Sequence, residues 1–299
     1  MKKGIFLILT FVSFAFGYAQ TDDNTIPPPL TAPWEVIDVS ESPGPVAYPV
    51  VKEVMWSKYV WREIDLREKR NQGLYFPTEP QGIYKSLAQV IIDALDLNNP
   101  DNDDALPIYT NEHCNVKVAR NDIKNTLDNS RVIPKYDPET GDYIGETTID
   151  EPLTASQIMY YRLKEVWFFD KNRGEFSVRI LAIEPFFEYD KEGVTMSGDD
   201  DEIGGPLKAK RRLGTIKYDE LRPFLAQQQY FNPKNTAVSL TFDDVLTWKR
   251  YFSSYIIASS DQQNNREIQD YIKNPIDQRL ESERILNEMR NLEDSFWEY

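Results

Sequence analysis

The clearest alternation of hydrophobic and polar positions lies between Ile158 and Ile183, where two runs of β-branched and aromatic residues flank a polar turn, Lys171-Asn172-Arg173-Gly174. Such a pattern predicts a β-hairpin. Met159, Tyr161, Leu163, Trp167 and Phe169 share one parity on the first strand, and Phe176, Val178, Ile180 and Ala182 share one parity on the second. Both sets reach one sheet face only if the loop has an even number of residues, which pairs Phe169 with Phe176 and Trp167 with Val178. Glu165 interrupts the apolar face, so a neighbouring cation or a place at its edge is expected. Pro185 is read as the end of the hairpin, with Phe186 to Tyr189 as a possible continuation of the sheet.

Helical spacing is read elsewhere. Glu53 to Asn71 presents Met55, Tyr59, Arg62 and Leu66 together with Trp56, Val60 and Ile64, and Trp61 widens the arc; a helix buried on two sides, or against a partner, is predicted. Gly82 to Leu97 places Ile83, Leu87, Val90, Ile91 and Ala94 on one face and stops at Asn98-Asn99-Pro100. A short helix is expected over Ala119 to Leu127, and a turn at Asp137 to Gly141 between short β-like pieces. Leu213 to Leu225 reads as a strand end running into a helical turn. Thr241 and Asp244 have the spacing of a capping box ahead of a helix whose buried stripe would be Val245, Trp248, Phe252 and Ile256. From Ile268 onward the chain is helical again, broken at Pro275, with Ile285, Met289, Leu292 and Phe296 forming an apolar seam on a highly charged helix.

These elements predict an α+β fold: an antiparallel sheet built on a central hairpin at about 158–184 and packed with helices. An extended proline-rich arm precedes it, over 20–50, and a charged helical region follows, over 261–299; the core domain spans 51–260. The arm carries Pro27-Pro28-Pro29, Pro33, Pro43, Pro45 and Pro49, punctuated by Trp34. Proline fixes the backbone and removes a donor, so the arm is extended; it is read first as a strap on its own domain and second as a reach to a neighbouring subunit. Residues 1–19 read as a secretory signal, with Lys2 and Lys3 before the apolar run Ile5 to Phe16 and small residues at the cleavage site, expected before Gln20.

Charge and chemistry narrow the function. Among 299 residues, 49 acidic against 34 basic residues give a net charge of −15, which disfavours nucleic acid as a partner. The single cysteine, Cys114, excludes an internal disulfide. Cys114 and the only histidine, His113, supply at most two ligands to a metal. Asp101, Asp103 and Glu112 have calcium-loop spacing, but Ala105 and Leu106 stand where a ligand and a glycine are needed, so a solvated acidic turn is the reading. The acidic run Asp199 to Glu202 and the basic run Lys208 to Arg212 are taken as two blocks on one exposed loop. No nucleophile, phosphate-loop or dinucleotide motif occurs, and neither a cofactor nor an enzymatic activity is expected.

Several stretches together resemble the gliding motility family GldN, called PorN in other members. They are Trp56-Ser57-Lys58 with Val60 to Glu68, Tyr160 to Asp170, Glu220-Leu221-Arg222-Pro223, and Phe242-Asp243-Asp244 leading to Arg250 through Ile256. The resemblance implies a non-enzymatic, periplasmic component of the type IX secretion system of Bacteroidota. It implies ring assembly under the outer membrane with a GldK/PorK-like lipoprotein, and contact with a GldM/PorM-like motor. Candidate partner-interface residues are Trp34, Trp56, Trp61, Ile285, Met289, Leu292 and Phe296. The alternative is a periplasmic or surface glycan-binding protein, which would need an aromatic-lined groove; a hydrolase would need two carboxylates facing across a cleft.

Overall fold

A computed structural model describes residues 43–46, 51–96, 99, 102, 105–128, 131–136, 143–149, 154–195, 206–232, 240–250, 252–260 and 265–297. The expected signal segment, Trp34, most of the arm and the acidic run Asp199 to Glu202 lie outside them. The strands are β1 (Val54–Asp65), β2 (Arg131–Tyr136), β3 (Tyr143–Ile149), β4 (Ile158–Asp170), β5 (Glu175–Thr195), β6 (Pro206–Arg212), β7 (Ile216–Lys217), β8 (Gln229–Tyr230), β9 (Leu240–Thr241) and β10 (Tyr255–Ser259). The helices are α1 (Gln72–Tyr75), α2 (Leu87–Leu95), α3 (Arg120–Asp128), α4 (Tyr218–Ala226), α5 (Ile268–Tyr271) and α6 (Pro275–Trp297). The α+β architecture expected from the sequence is present. An antiparallel sheet runs β10-β1-β4-β5-β6, with β7 also on β5, and the β2–β3 and β8–β9 ribbons stand apart from it.

The hairpin β4–β5 has the even, four-residue loop: Trp167 faces Val178 and Phe169 faces Phe176. Two details differ from the expected pattern. A bulge between Lys164 and Glu165 pairs Ala182 with Lys164 and Ile183 with Leu163. Ile183 therefore replaces Ala182 on the apolar face, because the extra residue reverses parity. Pro185 does not end β5. It sits opposite Tyr161, where the outer neighbour of β5 changes from β7 to β6, so its missing N–H interrupts little of the ladder.

The helix expected over Glu53 to Asn71 is instead strand β1, paired with β4 from Trp56 to Asp65 without a break. The β-branched and aromatic side chains of this stretch suit a pleated surface between two strands. The helix expected to carry Val245 through Ile256 is a six-residue π-helical stretch, Asp244–Lys249, ended by Arg250 in the left-handed region at φ 48°. Trp248 there is exposed, and Ile256 belongs to β10. The Thr241–Asp244 capping pair is formed, with Asp244 N–H donating to Thr241 Oγ1 at 3.2 Å and Thr241 N–H to Asp244 at 3.0 Å. The basic run Lys208 to Arg212 lies on strand β6, not on a loop.

Register places Trp56, Val60, Arg62 and Ile64 of β1 on the same sheet face as Trp167, Glu165, Leu163 and Tyr161 of β4. At one end of this face the large core gathers Ile64, Tyr161, Leu163, Ile183 and Phe187 with α2, α4 and the Phe242–Leu246 segment. At the other end Val60, Ile256, Ile268, Ile285 and Met289 form a smaller cluster, flanked by Trp56 and Trp167, under α6. The α6 seam read from the sequence thus faces its own sheet.

Candidate functional site

Between the two apolar clusters lies a buried ionic group. Glu165 is fully buried; it accepts from Trp167 Nε1 at 2.9 Å and pairs with Arg250 at 2.6 Å and Arg62 at 3.7 Å. The left-handed turn at Arg250 ends its helical stretch within reach of that carboxylate. Burial pushes the Arg62 guanidinium down from its ordinary pKa, and Glu165 offsets part of that shift. Arg62 also lies over the rings of Trp167 and Phe252. The group packs between the clusters and orients Trp167 and Arg250.

The opposite face alternates charge with aromatic rings. Lys164 lies over Trp61 and Arg162 over Phe186, while Lys210 Nζ is 3.5 Å from the Tyr160 ring centroid. Burial pushes the Tyr160 hydroxyl up to about 12 against the pull of Arg67. Cross-strand neighbours Glu63, Arg162 and Glu184 alternate in sign across β1, β4 and β5. Lys210 bonds Glu63 at 2.9 Å, and Arg212 pairs with Glu184 at 3.2 Å. Lys210 and Arg212 of β6 therefore neutralise carboxylates of their own sheet.

Where this face meets β10 a cavity of about 430 Å³ opens, lined by residues that include Glu63, Glu68, Arg162, Lys210, Ser254, Tyr255 and Glu267. Buried Asn71 shapes its rim. Its amide donates to the carbonyls of Asp65 and Ser253 and accepts from Ser253 N–H at 2.7 Å, tying the end of β1 to the segment that enters β10. Glu63 accepts from Tyr255 and Lys210; Glu267 accepts from Arg162 at 2.8 Å. Burial raises the Asp65 carboxyl, but hydrogen bonds from Arg67 outweigh this and hold it below its ordinary value. Glu63, Asp65 and Glu267 are thus each engaged by a cation of the chain itself. Among the described lining residues Tyr255 is the one aromatic, where the glycan reading calls for an aromatic-lined groove.

The structure distributes the sequence-derived candidates unevenly. Trp34 lies outside the described residues. Trp56 packs on Phe176 at 5.2 Å between ring centroids, and Trp61 is buried, donating through Nε1 to Glu112. Ile285 and Met289 are buried in the small cluster; Leu292 is half-buried; half-buried Phe296 stacks on Phe169 at 4.6 Å. Missed were Ile276 and Leu280, 70% and 58% exposed. Each precedes a seam residue by nine positions, two and a half helical turns, and so faces the other way. The short described piece of the arm, 43–46, lies on its own domain: Arg222, paired with Asp243 at 2.8 Å, donates to the Gly44 carbonyl at 2.7 Å.

His113 is exposed, and burial pushes the half-buried Cys114 thiol up from its ordinary pKa. Among the described residues no group of His, Cys, Asp and Glu is placed to hold a metal ion, and no helix is long and apolar enough to cross a membrane. The family model described as "Gliding motility associated protein GldN" matches residues 51–298. No curated protein matches the chain.

Proposed function

Because the chain belongs to the GldN family of gliding motility associated proteins, we propose that it is a non-enzymatic structural subunit of the type IX secretion and gliding machinery. In this reading it works in the periplasm at the inner face of the outer membrane. There it joins a ring with a GldK/PorK-like lipoprotein and contacts the periplasmic part of a GldM/PorM-like motor. The family match over nearly all of the described chain is the observation that carries the proposal. The fold is compatible with a load-bearing part: an antiparallel sheet tied across its strands by ion pairs, with an ionic group inside it.

The sequence-derived seam of α6 is spent on its own sheet, so among the described side chains of this helix Ile276 and Leu280 are the apolar pair left for a partner. Co-purification of the protein with the lipoprotein, followed by electron microscopy, is expected to yield a stable ring-like complex. Replacing Ile276 and Leu280 together by Glu is expected to weaken association with one of the two partners and leave the melting temperature unchanged. A monomer that ignores both partners in pull-down and analytical ultracentrifugation would overturn the proposal.

A further inference from the structure

Three residues that line the cavity beside β10 each carry a polar group with no partner among the described residues. Arg162 Nε and Ser254 Oγ are buried donors with no acceptor, and both residues line the cavity. Glu68 is half-buried in the same lining, and among the described residues its carboxylate makes no ion pair or hydrogen bond. The carboxylates of Glu63, Asp65 and Glu267 are already engaged by Lys210, Arg67 and Arg162. Buried donors are nearly always satisfied, so two beside one cavity call for an acceptor that the described residues do not supply.

We propose that this cavity binds the basic side chain of lysine or arginine together with a carbonyl or carboxylate oxygen of the same molecule. The cation meets Glu68, and the oxygen accepts from Arg162 Nε–H and Ser254 O–H. Ile256, Ile257 and Ile268 in the lining offer an apolar wall for the methylene stem. Carboxylates outnumber cations in the lining by four to three, so a simple anion would satisfy the two donors and be repelled by Glu68. A volume of about 430 Å³ fits a small guest. The chemistry is shared by the free amino acid and by a residue within a peptide.

Calorimetric titration of the purified protein separates these sources. L-lysine and L-arginine form one arm; Gly-Lys-Gly and Gly-Arg-Gly with both ends blocked form the other; blocked Gly-Glu-Gly is the control. Saturable binding by either basic arm, with none by the acidic control, supports the proposal and tells amino acid from peptide. Glu68→Gln and Arg162→Lys are each expected to weaken binding by ~10-fold or more. Glu68→Gln should leave the melting temperature unchanged, because that carboxylate holds nothing inside the chain. Glu288→Gln, on the exposed side of α6 and paired with Arg284 away from the cavity, should bind as the parent does. No saturation by ~10 mM of any basic probe, equal binding of the acidic peptide, or an unchanged affinity in Glu68→Gln would each overturn the proposal.

Discussion

The two apolar clusters on one face of the sheet are built differently. The large core is closed from several directions: α2, α4 and the Phe242–Leu246 segment cover Tyr161, Leu163, Ile183 and Phe187, all with essentially no exposure. The small cluster depends mainly on one late element, since Ile285 and Met289 come from α6 and Ile268 from the short α5. What separates the clusters is Glu165 with Arg62 and Arg250. A region enclosed by many elements opens only with global unfolding, whereas a region capped by one terminal helix can open alone. The comparison teaches that the ionic group is a border as well as a joint.

The largest expected effect comes from that border. Glu165→Gln keeps the shape and removes the charge, leaving Arg62 and Arg250 facing each other with no anion between them. Breaking a buried pair in this way costs about 3–5 kcal/mol, to be read as a lower urea midpoint. Both clusters should lose protection from hydrogen exchange, since Arg62 also packs on Trp167 of the small cluster and Phe252 of the large one. A loss of less than about 1 kcal/mol, the range of an exposed pair, would mean that the two regions are not coupled through this group.

A matched pair of truncations tests the difference itself. Leu163→Ala in the large core should lower global stability by about 2–5 kcal/mol. Met289→Ala removes a similar amount of buried surface, yet its loss of about 2–3 kcal/mol should appear chiefly as faster hydrogen exchange in α6. If both variants shift one transition equally, with no selective opening of α6, the clusters form a single cooperative unit and the contrast fails.

The hairpin was legible from sequence near its loop, where alternation and an even loop leave one register, but the bulge between Lys164 and Glu165 that reverses parity beyond it was not. A lone Glu165 on an apolar face called for a cation or a place at its edge, and the structure buries it with two cations. Strand β1 was not legible, for a physical reason. Trp56, Val60 and Ile64 recur every four residues, and four is both an even number and close to a helical turn. That spacing satisfies strand and helix alike, and the aromatic and β-branched content was the better guide. The run Val245, Trp248, Phe252, Ile256 misled in the same way, because nothing in it announces the left-handed Arg250. For α6 the amphipathic pattern identified the apolar face but not what covers it. Ile285 and Met289 cover β10 and β1, so the outward residues Ile276 and Leu280 went unnoticed. The cavity was illegible, since Glu68, Arg162 and Ser254 come from three segments that only the fold brings together.

The smallest effect concerns the outer side of α6. Arg284 bonds Glu281 at 2.7 Å and pairs with Glu288 at 3.4 Å, all on one solvent-facing helix. Hydrogen bonding from Arg284 holds the Glu281 carboxyl below its ordinary pKa, outweighing the opposing effect of burial. A carboxyl with a depressed folded pKa contributes stability above its unfolded value of about 4.3, and that contribution is lost as pH falls through the folded value. Arg284→Ala should therefore cost only about 0.3–0.5 kcal/mol at neutral pH, and the difference from the parent should vanish in acid. Hydrogen exchange of α6 at two pH values measures it. An effect as large as that of Met289→Ala would place the attachment of α6 in its surface charges and not in the cluster beneath it.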